Sequence, residues 1–306
     1  MRPCVVAGVC DFMPCYHPIV AYRRRDGSIV FHNRGDGDQL QLACGQCIGC
    51  RLERSRQWAV RCVHEARSHE FNSFVTLTYN NENLPEHSAL VYSHFQLFMK
   101  RLRKRIGKPI RFFMCGEYGE EFNRPHYHAC IFGYDFPDRK IHSRTGSNHF
   151  IYYSQLLSDC WPHGFSSCAD FSFETAAYVA RYVCKKVTGQ AANFHYQRVD
   201  PDTGECFSIP AEFCHMSLEP GIGFDWYSKY GRTDVEVRDS VVINGVECSV
   251  PRYYMKLLRR NNLLQYNEVK AQREFANYLH RGDNTDERLA VKEIVKIAQI
   301  SKLCRS

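Results

Sequence analysis

The stretch RPHYHACIF (residues 124–132) places two histidines one residue apart at the start of an otherwise apolar run. In a β-strand, residues i and i+2 project from the same face, so His126 and His128 should lie side by side and Tyr127 should point away. Two adjacent imidazoles suit a divalent metal. The other interpretation is a hydrogen-bonded histidine pair on a half-buried strand. Since the chain has 14 histidines in 306 residues, roughly 0.6 such pairs arise by chance.

A carboxylate precedes the pair at a useful distance. Glu117 lies nine residues before His126, and a hairpin between them would bring the two side chains together. Two histidines and a carboxylate, with open positions left, would bind Mg²⁺ or Mn²⁺ together with a phosphate oxygen. Glu120 and Glu121 are competing candidates for the third ligand.

Periodic segments in the middle of the chain predict the fold. In chain order they indicate a strand, a helix, the two strands of a hairpin and a second helix: residues 72–80, 93–107, 109–119, 126–134 and 172–189. Ser93 is a candidate N-cap for the first helix, and Gly189 is a candidate end for the second. This order predicts an α+β fold with helices packed on one face of the sheet.

Composition divides the chain into three predicted regions. Residues 1–70 are rich in cysteine, residues 71–190 form the compact core, and residues 191–306 begin irregularly. Helices are predicted near the end of the first region and at the end of the last: about 52–69, 264–281 and 285–303.

Charge and composition narrow the class of protein. The net charge is +7, with 44% hydrophobic and 13% aromatic residues, which is enough for a real core. Clusters of cations interleaved with aromatic residues favour a polyanion such as nucleic acid over solvated helix faces alone. The candidate contacts to the phosphate backbone are Lys100, Arg101, Arg103, Lys104, Arg105, Arg51, Arg54 and Arg56.

Several other classes are disfavoured. No apolar run approaches the length of a membrane span, and the first residues lack the apolar stretch of a signal sequence. Many of the 16 cysteines stand alone inside predicted helices and strands, which favours reduced thiols in an intracellular protein over a secreted disulfide scaffold. The chain has no G-x-x-x-x-G-K-[ST] phosphate loop, so it has no motor of the P-loop type.

One cysteine cluster stands out by its spacing. Cys44, Cys47 and Cys50 form C-x₂-C-x₂-C, a pattern expected roughly 0.04 times by chance at this cysteine content. Three thiolates with a fourth ligand suit tetrahedral zinc, while an Fe–S cluster or unliganded thiols in a glycine-rich loop remain alternatives. Spacing does not distinguish the candidates for the fourth ligand: Cys15, Cys10, Cys4 and Cys62.

A stripe on the last predicted core helix suggests a nucleophile. Tyr178, Tyr182 and Lys185 stand at i, i+4 and i+7, on one side of a helix. Tyrosines at this spacing commonly serve packing. An ammonium beside a phenol, however, favours phenolate formation and steadies a phosphate.

These segments together resemble a known family. Three resemble, in order and spacing, the three motifs of HUH endonucleases: FVTLTY (74–79), RPHYH (124–128) and YVARYVCKK (178–186). The two-tyrosine third motif resembles more narrowly the rolling-circle replication initiators of the Microviridae. Further segments resemble the gokushovirus branch of that family: 44–62, 94–104 and 216–223.

The resemblance, which runs from about residue 40 to residue 300, implies a fold and a set of roles. The fold would be an HUH-like antiparallel sheet flanked by helices, with a Cys-rich N-terminal extension and a helical C-terminal extension. The metal ligands would be His126, His128 and Glu117, and the alternating nucleophiles with their supporting cation would be Tyr178, Tyr182 and Lys185. Thr76 and Thr78, on the strand of the first motif, are expected to have a structural or DNA-contact role.

The resemblance also implies an activity and partners. Such an initiator nicks the viral origin strand, keeps a 5′-phosphotyrosine link and rejoins the displaced strand. Its partners would be single-stranded DNA at the viral origin and a host helicase and DNA polymerase, in the cytoplasm of a bacterial host. Two other functions stay open: a non-catalytic zinc-containing DNA-binding protein, and a plasmid or transposon HUH relaxase.

Overall fold

The computed structural model describes residues 15–32, 35, 37–119, 123–145, 149–182, 190–200 and 203–303. The chain divides into two compact units. The central unit is Ser55–Gly231, and the terminal unit combines Met1–Arg54 with Arg232–Ser306. The three regions inferred from composition stay a prediction about folding domains.

The described residues contain the following strands and helices. The strands are β1 (Ile19–Arg24), β2 (Ile29–Val30), β3 (Gly37–Leu42), β4 (Asn72–Tyr79), β5 (Arg111–Tyr118), β6 (Pro125–Phe132), β7 (Lys140–Arg144), β8 (Phe150–Tyr153), β9 (Gly164–Asp170), β10 (Gln197–Val199), β11 (Cys206–Ser208), β12 (Phe213–Met216), β13 (Ser240–Ile243) and β14 (Val246–Ser249). The helices are α1 (Ile48–Ala66), α2 (Tyr92–Ile106), α3 (Gln155–Cys160), α4 (Phe173–Tyr182), α5 (Gln190–His195), α6 (Phe224–Gly231), α7 (Arg252–Asn261), α8 (Leu263–Leu279) and α9 (Asp286–Leu303). Short 3₁₀ segments and a π-helical segment, Arg232–Val237, complete the regular structure.

A seven-stranded sheet forms the core of the central unit. Its order is β12-β5-β6-β4-β9-β8-β7, and each neighbouring pair is antiparallel. The hairpin predicted around the histidines is therefore present as β5 and β6, beside the predicted strand β4. The α+β class and the antiparallel sheet flanked by helices are confirmed.

One face of the sheet is covered by α2 and α3. Val75 and Leu77 of β4 are fully buried in a cluster that includes Phe95, Phe98 and Leu102 of α2. These helix residues recur at three- and four-residue spacing, so they form one apolar side of α2. The cations of α2 lie on its remaining surface.

The other face is covered by different helices. A second cluster packs Ala59 of α1 and Ala176 and Val179 of α4 against Phe113 and Cys130 of the sheet. The prediction of helices on one face only is therefore wrong. The two central strands β5 and β6 are buried along almost their whole length, as expected for strands that are covered on both sides.

Two helix boundaries differ from prediction. Val91 is the N-cap of α2, so Ser93 lies inside the first turn and is not the cap. At the other end Gly107 has φ +68° and its amide donates to Arg103 O, which is the usual role of glycine after a helix. Gly189 lies outside the described residues.

Several elements had no clear sequence signal. Strand β9 pairs with β4 in the interior of the sheet, yet its sequence GFSSCAD lacks the β-branched and aromatic runs by which strands are recognised. Its pairing is specified by neighbours on both sides rather than by local propensity. The predicted order of elements also omitted β7, β8 and α3.

A buried carboxylate anchors one of the segments that resemble the gokushovirus branch. Glu65 is almost fully buried, with Oε1 paired to Arg111 Nε and Oε2 accepting the Gly223 amide at 2.7 Å. Arg111 also donates to the carbonyl of Pro220. Burial by itself raises the pKa of Glu65, but its hydrogen bonds and the Arg111 charge outweigh that effect and lower the pKa. The segment is therefore held in place by ion-pair chemistry.

The terminal unit has its own sheets and helices. β1 pairs with β2 and β3, and β13 pairs with β14, all antiparallel. The predicted C-terminal helices are present as α8 and α9, and a bidentate pair between Arg273 and Asp239 ties α8 to the turn before β13. Among the described residues, no helix combines the length and the apolar character that crossing a membrane requires.

We expect Gly164→Ala to destabilise the central unit strongly. Gly164 has φ +152°, and a Cβ there would lie 2.5 Å from Thr78 O and closer still to Asn80 N. Rigid backbone cannot move aside, so the expected loss is at least about 3 kcal/mol, measured as a shift of the urea unfolding curve.

The matched control for this change is Gly107→Ala. Gly107 also has a positive φ, +68°, but nothing lies within 4 Å of the added Cβ. Its expected cost is only the backbone conformation, about 1 kcal/mol. Equal losses for the two variants would contradict the steric explanation.

Candidate active site and cysteine centre

The register of the hairpin brings the predicted metal ligands together. Glu117 of β5 lies directly opposite His126 of β6, and Thr76 of β4 lies directly opposite His128. Directly opposed residues in an antiparallel ladder share a face. We call this side of the sheet the histidine face; it is also the side on which α1 and α4 pack.

The donor atoms are close enough to share one ion. Glu117 Oε1 lies 2.6 Å from His126 Nε2 and 3.0 Å from His128 Nε2. One donor atom from each of the three residues lies within 4.8 Å of the others. The competing candidates Glu120 and Glu121 lie outside the described residues.

The outer nitrogens of both imidazoles are held by acceptors. His126 Nδ1 lies 3.0 Å from the carbonyl oxygen of Arg124, which can only accept, so Nδ1 carries the proton. His128 Nδ1 lies 2.9 Å from Thr76 Oγ1, which can accept in the same way. Both Nε2 lone pairs can then be directed toward Glu117. This outer-contact pattern is typical of metal-binding histidines.

The carboxylate itself fits a cation. Glu117 is 2% exposed, and within the part of the chain that the structure describes its Oε2 has no hydrogen-bond partner. Burial by itself raises the pKa of Glu117, but hydrogen bonds with His126 and His128 and their charges outweigh it, so the pKa is lowered. A buried anionic oxygen without a donor is costly unless an ion satisfies it. The donor set therefore fits Mg²⁺ or Mn²⁺.

Helix α4 brings a tyrosine to this donor set. Ser172 and Thr175 cap its start reciprocally, with the Thr175 amide donating to Ser172 Oγ at 3.2 Å and the Ser172 amide donating to Thr175 Oγ1 at 2.8 Å. Tyr178 then places its ring edge-on against His128, with 5.1 Å between centroids, and against Phe74 at 6.2 Å. The tyrosine stays 37% exposed. It borders the donor set and remains accessible.

The rest of the predicted stripe is described only in part. The backbone of Tyr182 ends α4, one turn beyond Tyr178, while the Tyr182 side chain and Lys185 lie outside the described residues. The nucleophile roles of both tyrosines stay predictions.

The basic helix α2 lies on the opposite side of the sheet. Its apolar residues pack against β4 side chains that alternate with Thr76, so α2 is not on the histidine face. Arg103 donates to Ile110 O through Nε and Nη2, at 3.2 and 2.8 Å. Arg105 lies 3.8 Å from Asp159. Phosphate contacts by this helix stay a prediction, and they would lie away from the donor set.

The cysteine cluster acquires a fourth member in the terminal unit. Cys15 joins Cys44, Cys47 and Cys50, with one sulfur atom of each within 4.8 Å of the others. The Cys44–Cys50 and Cys47–Cys15 sulfur pairs are each 4.0 Å apart. Four thiolates at about 2.3 Å from a zinc ion are separated by about 3.8 Å along each edge of the tetrahedron. The spacing fits a shared ion and is far too long for disulfides.

Backbone amides point at these sulfur atoms. The amides of Cys44 and Tyr16 lie 3.2 and 3.3 Å from the sulfurs of Cys15 and Cys47. The sulfur of Cys44 receives the amides of Cys47 and Gln46. Burial raises the pKa of Cys44, but these donors lower it further, to about 7. Burial likewise raises the pKa of Cys15 and of Cys50, and there it prevails. The loop is prepared for thiolate at one sulfur without an ion.

The other candidates for the fourth ligand are placed differently. Cys62 is fully buried in the second core of the central unit, beside Cys130, so it is not part of the cluster. Cys4 and Cys10 lie outside the described residues. Arg54, predicted to contact DNA, donates to the Gly45 carbonyl in the cysteine loop at 3.0 Å. No sequence spacing singles out Cys15, because the contact depends on how the segment before β1 returns to the loop.

The comparisons with known proteins agree with this site. Residues 72–187, which contain β4 to β9 and the tyrosine helix, match the family profile of the replication-associated protein ORF2. The replication-associated protein VP4 of Bdellovibrio phage phiMH2K is 30% identical over 292 residues, covering 90% of this chain and 88% of that protein. No solved structure matches significantly.

Two further relatives extend the range of hosts. ORF4 of Chlamydia phage 1, also named as a replication-associated protein, is 32% identical over 228 residues, 72% of this chain and 54% of that protein. The corresponding ORF2 of Spiroplasma virus 4 is 28% identical over 277 residues, 81% of each. Fold and site thus define a protein of the replication-associated class. This chain belongs to the replication-associated proteins of phages of the Microviridae type.

We expect Thr76→Val to weaken Mn²⁺ binding by about 10- to 100-fold. The change keeps the branched side chain of the strand and removes only the oxygen that holds His128 Nδ1. Thr76→Ser should keep the affinity, measured by titration with detection of free Mn²⁺ by electron paramagnetic resonance.

Thr78→Val is the matched control on the same face of β4. Thr78 lies opposite His126, whose Nδ1 is held by Arg124 O instead. Its Mn²⁺ affinity should equal that of the wild type. Equal losses at the two threonines would show that the hydrogen bond to His128 does not matter.

Proposed function

We propose that this protein is a metal-dependent single-strand DNA nicking and joining enzyme that starts rolling-circle replication at the viral origin. The observation that carries the proposal is the contact of Tyr178 with His128, beside a carboxylate oxygen that is buried without a hydrogen-bond donor. A nucleophile next to a divalent-metal donor set is what phosphoryl transfer requires. Membership of a replication-associated family supplies the biological setting.

The reaction exchanges one phosphate ester for another. The tyrosine oxygen forms a bond to the scissile phosphorus, and the bond from phosphorus to the 3′-oxygen breaks. The phenol loses its proton and the leaving 3′-oxygen gains one, so the products are a 5′-phosphotyrosine and a free 3′-hydroxyl. No ATP is needed, because the energy of the phosphodiester is kept in the covalent link for the later joining step.

Each residue of the donor set has a defined part. Glu117, His126 and His128 would hold Mg²⁺ or Mn²⁺, which when bound supplies Lewis acidity at the scissile phosphate. Thr76 and the Arg124 carbonyl orient the two imidazoles. The two rings stand perpendicular, with centroids 5.0 Å apart, so their nitrogens converge without stacking.

A second tyrosine has a physical use in such a cycle. While one of Tyr178 and Tyr182 holds the parental 5′ end, the other can attack the regenerated origin. The 3′-hydroxyl freed by that attack then closes the displaced strand into a circle. Lys185 would steady the phosphate or the phenolate.

The proposal also implies partners and a compartment. The substrate would be single-stranded DNA at the viral origin, and a host helicase would unwind the duplex, since the chain has no P-loop motor. The freed 3′-hydroxyl would prime a host DNA polymerase. These steps take place in the cytoplasm of the bacterial host. The three relatives are phage or virus proteins, which favours this setting over a plasmid or transposon.

We further propose that Cys15, Cys44, Cys47 and Cys50 bind a structural zinc ion. Four thiol ligands leave no open position for substrate, so the ion would serve folding and not catalysis. It would join the segment before β1 to the first turn of α1, within the terminal unit. The loop between them has few apolar residues, and a metal replaces the core that so short a segment cannot form.

We expect Tyr178→Phe or Tyr182→Phe alone to leave some nicking, because the second phenol remains. The double variant should form no covalent adduct. The measurement incubates the protein with Mn²⁺ and labelled single strands that tile the viral origin, followed by denaturing gels and peptide mapping of the adduct.

The fold provides the control for this experiment. Tyr153→Phe alters an exposed tyrosine of β8 in the same unit and should leave adduct formation unchanged. EDTA should abolish the adduct in every variant. An adduct that persists in the double variant would refute the tyrosine assignment, and tight binding without any adduct would favour the non-catalytic DNA-binding function.

The zinc assignment predicts one ion per chain, measured by elemental analysis after dialysis. Cys15→Ser should reduce the zinc content and lower the thermal midpoint, because three thiolates bind zinc more weakly than four. Cys10→Ser and the exposed Cys206→Ser should change neither quantity. Zinc near zero in the wild type, or a loss with Cys10→Ser equal to that with Cys15→Ser, would overturn the assignment.

A further inference from the structure

An exposed phenylalanine stands on the histidine face in the middle of the sheet. Glu117, His126, Thr78 and Phe165 lie directly opposite one another on the four adjacent strands β5, β6, β4 and β9. Opposed residues share a face, so Phe165 faces the same side as the metal donors, two strand spacings or about 10 Å from His126.

Phe165 is 72% exposed although its strand lies in the sheet interior. Its neighbour Ser167 on the same face is only partly buried, whereas Cys168, facing the other side, is 1% exposed. Helices α1 and α4 therefore cover the histidine face only in part. An aromatic ring left in solvent costs hydrophobic free energy, so its position needs a reason other than folding.

The backbone holds this ring in place. Gly164, immediately before Phe165, is the residue whose Cβ would collide with the backbone of β4. Trp161 is buried and donates through its indole N–H to the Thr78 carbonyl at 3.1 Å. The turn into β9 is thus fixed against β4 on both sides of residue 164. Phe165 stands on a rigid strand and not on a loop.

Two grooves meet at Phe165 and Thr78. The hydroxyl groove, about 390 Å³, runs toward β7 and β8 and is lined mainly by hydroxyl groups, among them those of Thr76, Ser158, Ser167, Tyr152 and Tyr153. The Arg124 groove, about 500 Å³, runs past the end of β4 and is lined by Asn80, Asn81, Glu82 and Arg124. Thr78 and Phe165 line both.

The chemistry of the hydroxyl groove suits a base better than a phosphate. No lysine or arginine is among its lining residues within the described part of the chain. Hydroxyl groups can donate to and accept from base edges, and an exposed ring offers a stacking surface to any base. A guanidinium is present in the other groove, where Arg124 donates to Asn81 Oδ1 and Tyr79 O.

We propose that Phe165 is a stacking platform for an unpaired base of the DNA strand whose phosphate reaches the donor set, with the hydroxyl groove receiving that base. The inference rests on the proposed function and deepens it, because it names the residue that positions the strand. Stacking requires a base with open faces, which a single strand offers and a duplex does not. Phe165 would thus select single-stranded DNA.

The test measures binding apart from nicking. Fluorescence anisotropy with labelled single strands that tile the viral origin, in EDTA, reports affinity when no metal is bound. Phe165→Ala should weaken binding of the preferred strand by about 5- to 150-fold. Phe165→Trp should retain it, and Phe165→Leu, which keeps apolar bulk without a π face, should behave like the alanine variant.

Two controls separate stacking from loss of structure. Phe71→Ala removes another exposed phenylalanine, 51% exposed, which stands just before β4, at the end of that strand away from Thr78; its affinity should equal that of the wild type. Binding to the matching duplex should not change in any variant. Because the Phe165 ring is exposed, the thermal midpoint of Phe165→Ala should match the wild type.

Cross-linking gives an independent readout. Single strands that carry 5-iodouracil at successive positions, irradiated with the wild type, should cross-link to the peptide containing Phe165 at one position. Unchanged affinity in Phe165→Ala, or cross-links only to other peptides, would overturn the inference. The proposed function fails separately: if no adduct forms with Mn²⁺ yet binding depends on Phe165, the stacking site stands and the nicking activity does not.

Discussion

The antiparallel register of β5, β6 and β4 is the constraint on which the site depends. It sets Glu117 opposite His126 and Thr76 opposite His128, so that ligands and supporting oxygen share one face. Tyr127, between the two histidines, pins the register from the other face. Its hydroxyl lies 2.8 Å from the Tyr79 hydroxyl and donates to Val91 O at 2.9 Å. A slip of one residue would bury the histidines and expose this network.

The two faces of the sheet carry different parts of the molecule. One face is an apolar core under α2, and its basic residues point away from the sheet. The other face holds the buried carboxylate, the two imidazoles and Tyr178, and is only partly covered by α1 and α4. A charged cluster in such a position is stable only when its groups satisfy each other, as Glu117 and the histidines do. The cations of α2 add positive charge to the molecule without entering the site.

The predicted elements and the observed ones differ for identifiable reasons. Strands β4, β5 and β6 were predictable because β-branched and aromatic residues recur along them, and α2 and α4 because their apolar residues follow helical spacing. Strand β9 was not predictable. It consists of small residues whose pairing with β4 is specified by Gly164 and by the buried Trp161, contacts between parts of the chain that local patterns do not encode.

The sequence by itself determined the pairing of His126 with His128, the carboxylate nine residues before them and the cysteine triplet, because strand periodicity and ligand spacing are local properties. The tertiary structure decided which distant groups meet them. It brought Cys15 to the triplet, Thr76 to His128 and the ring of Tyr178 to the donor set. It also placed α2 on the far face and Phe165 on the near one. These are consequences of long-range strand pairing and helix packing, which no window of the sequence contains.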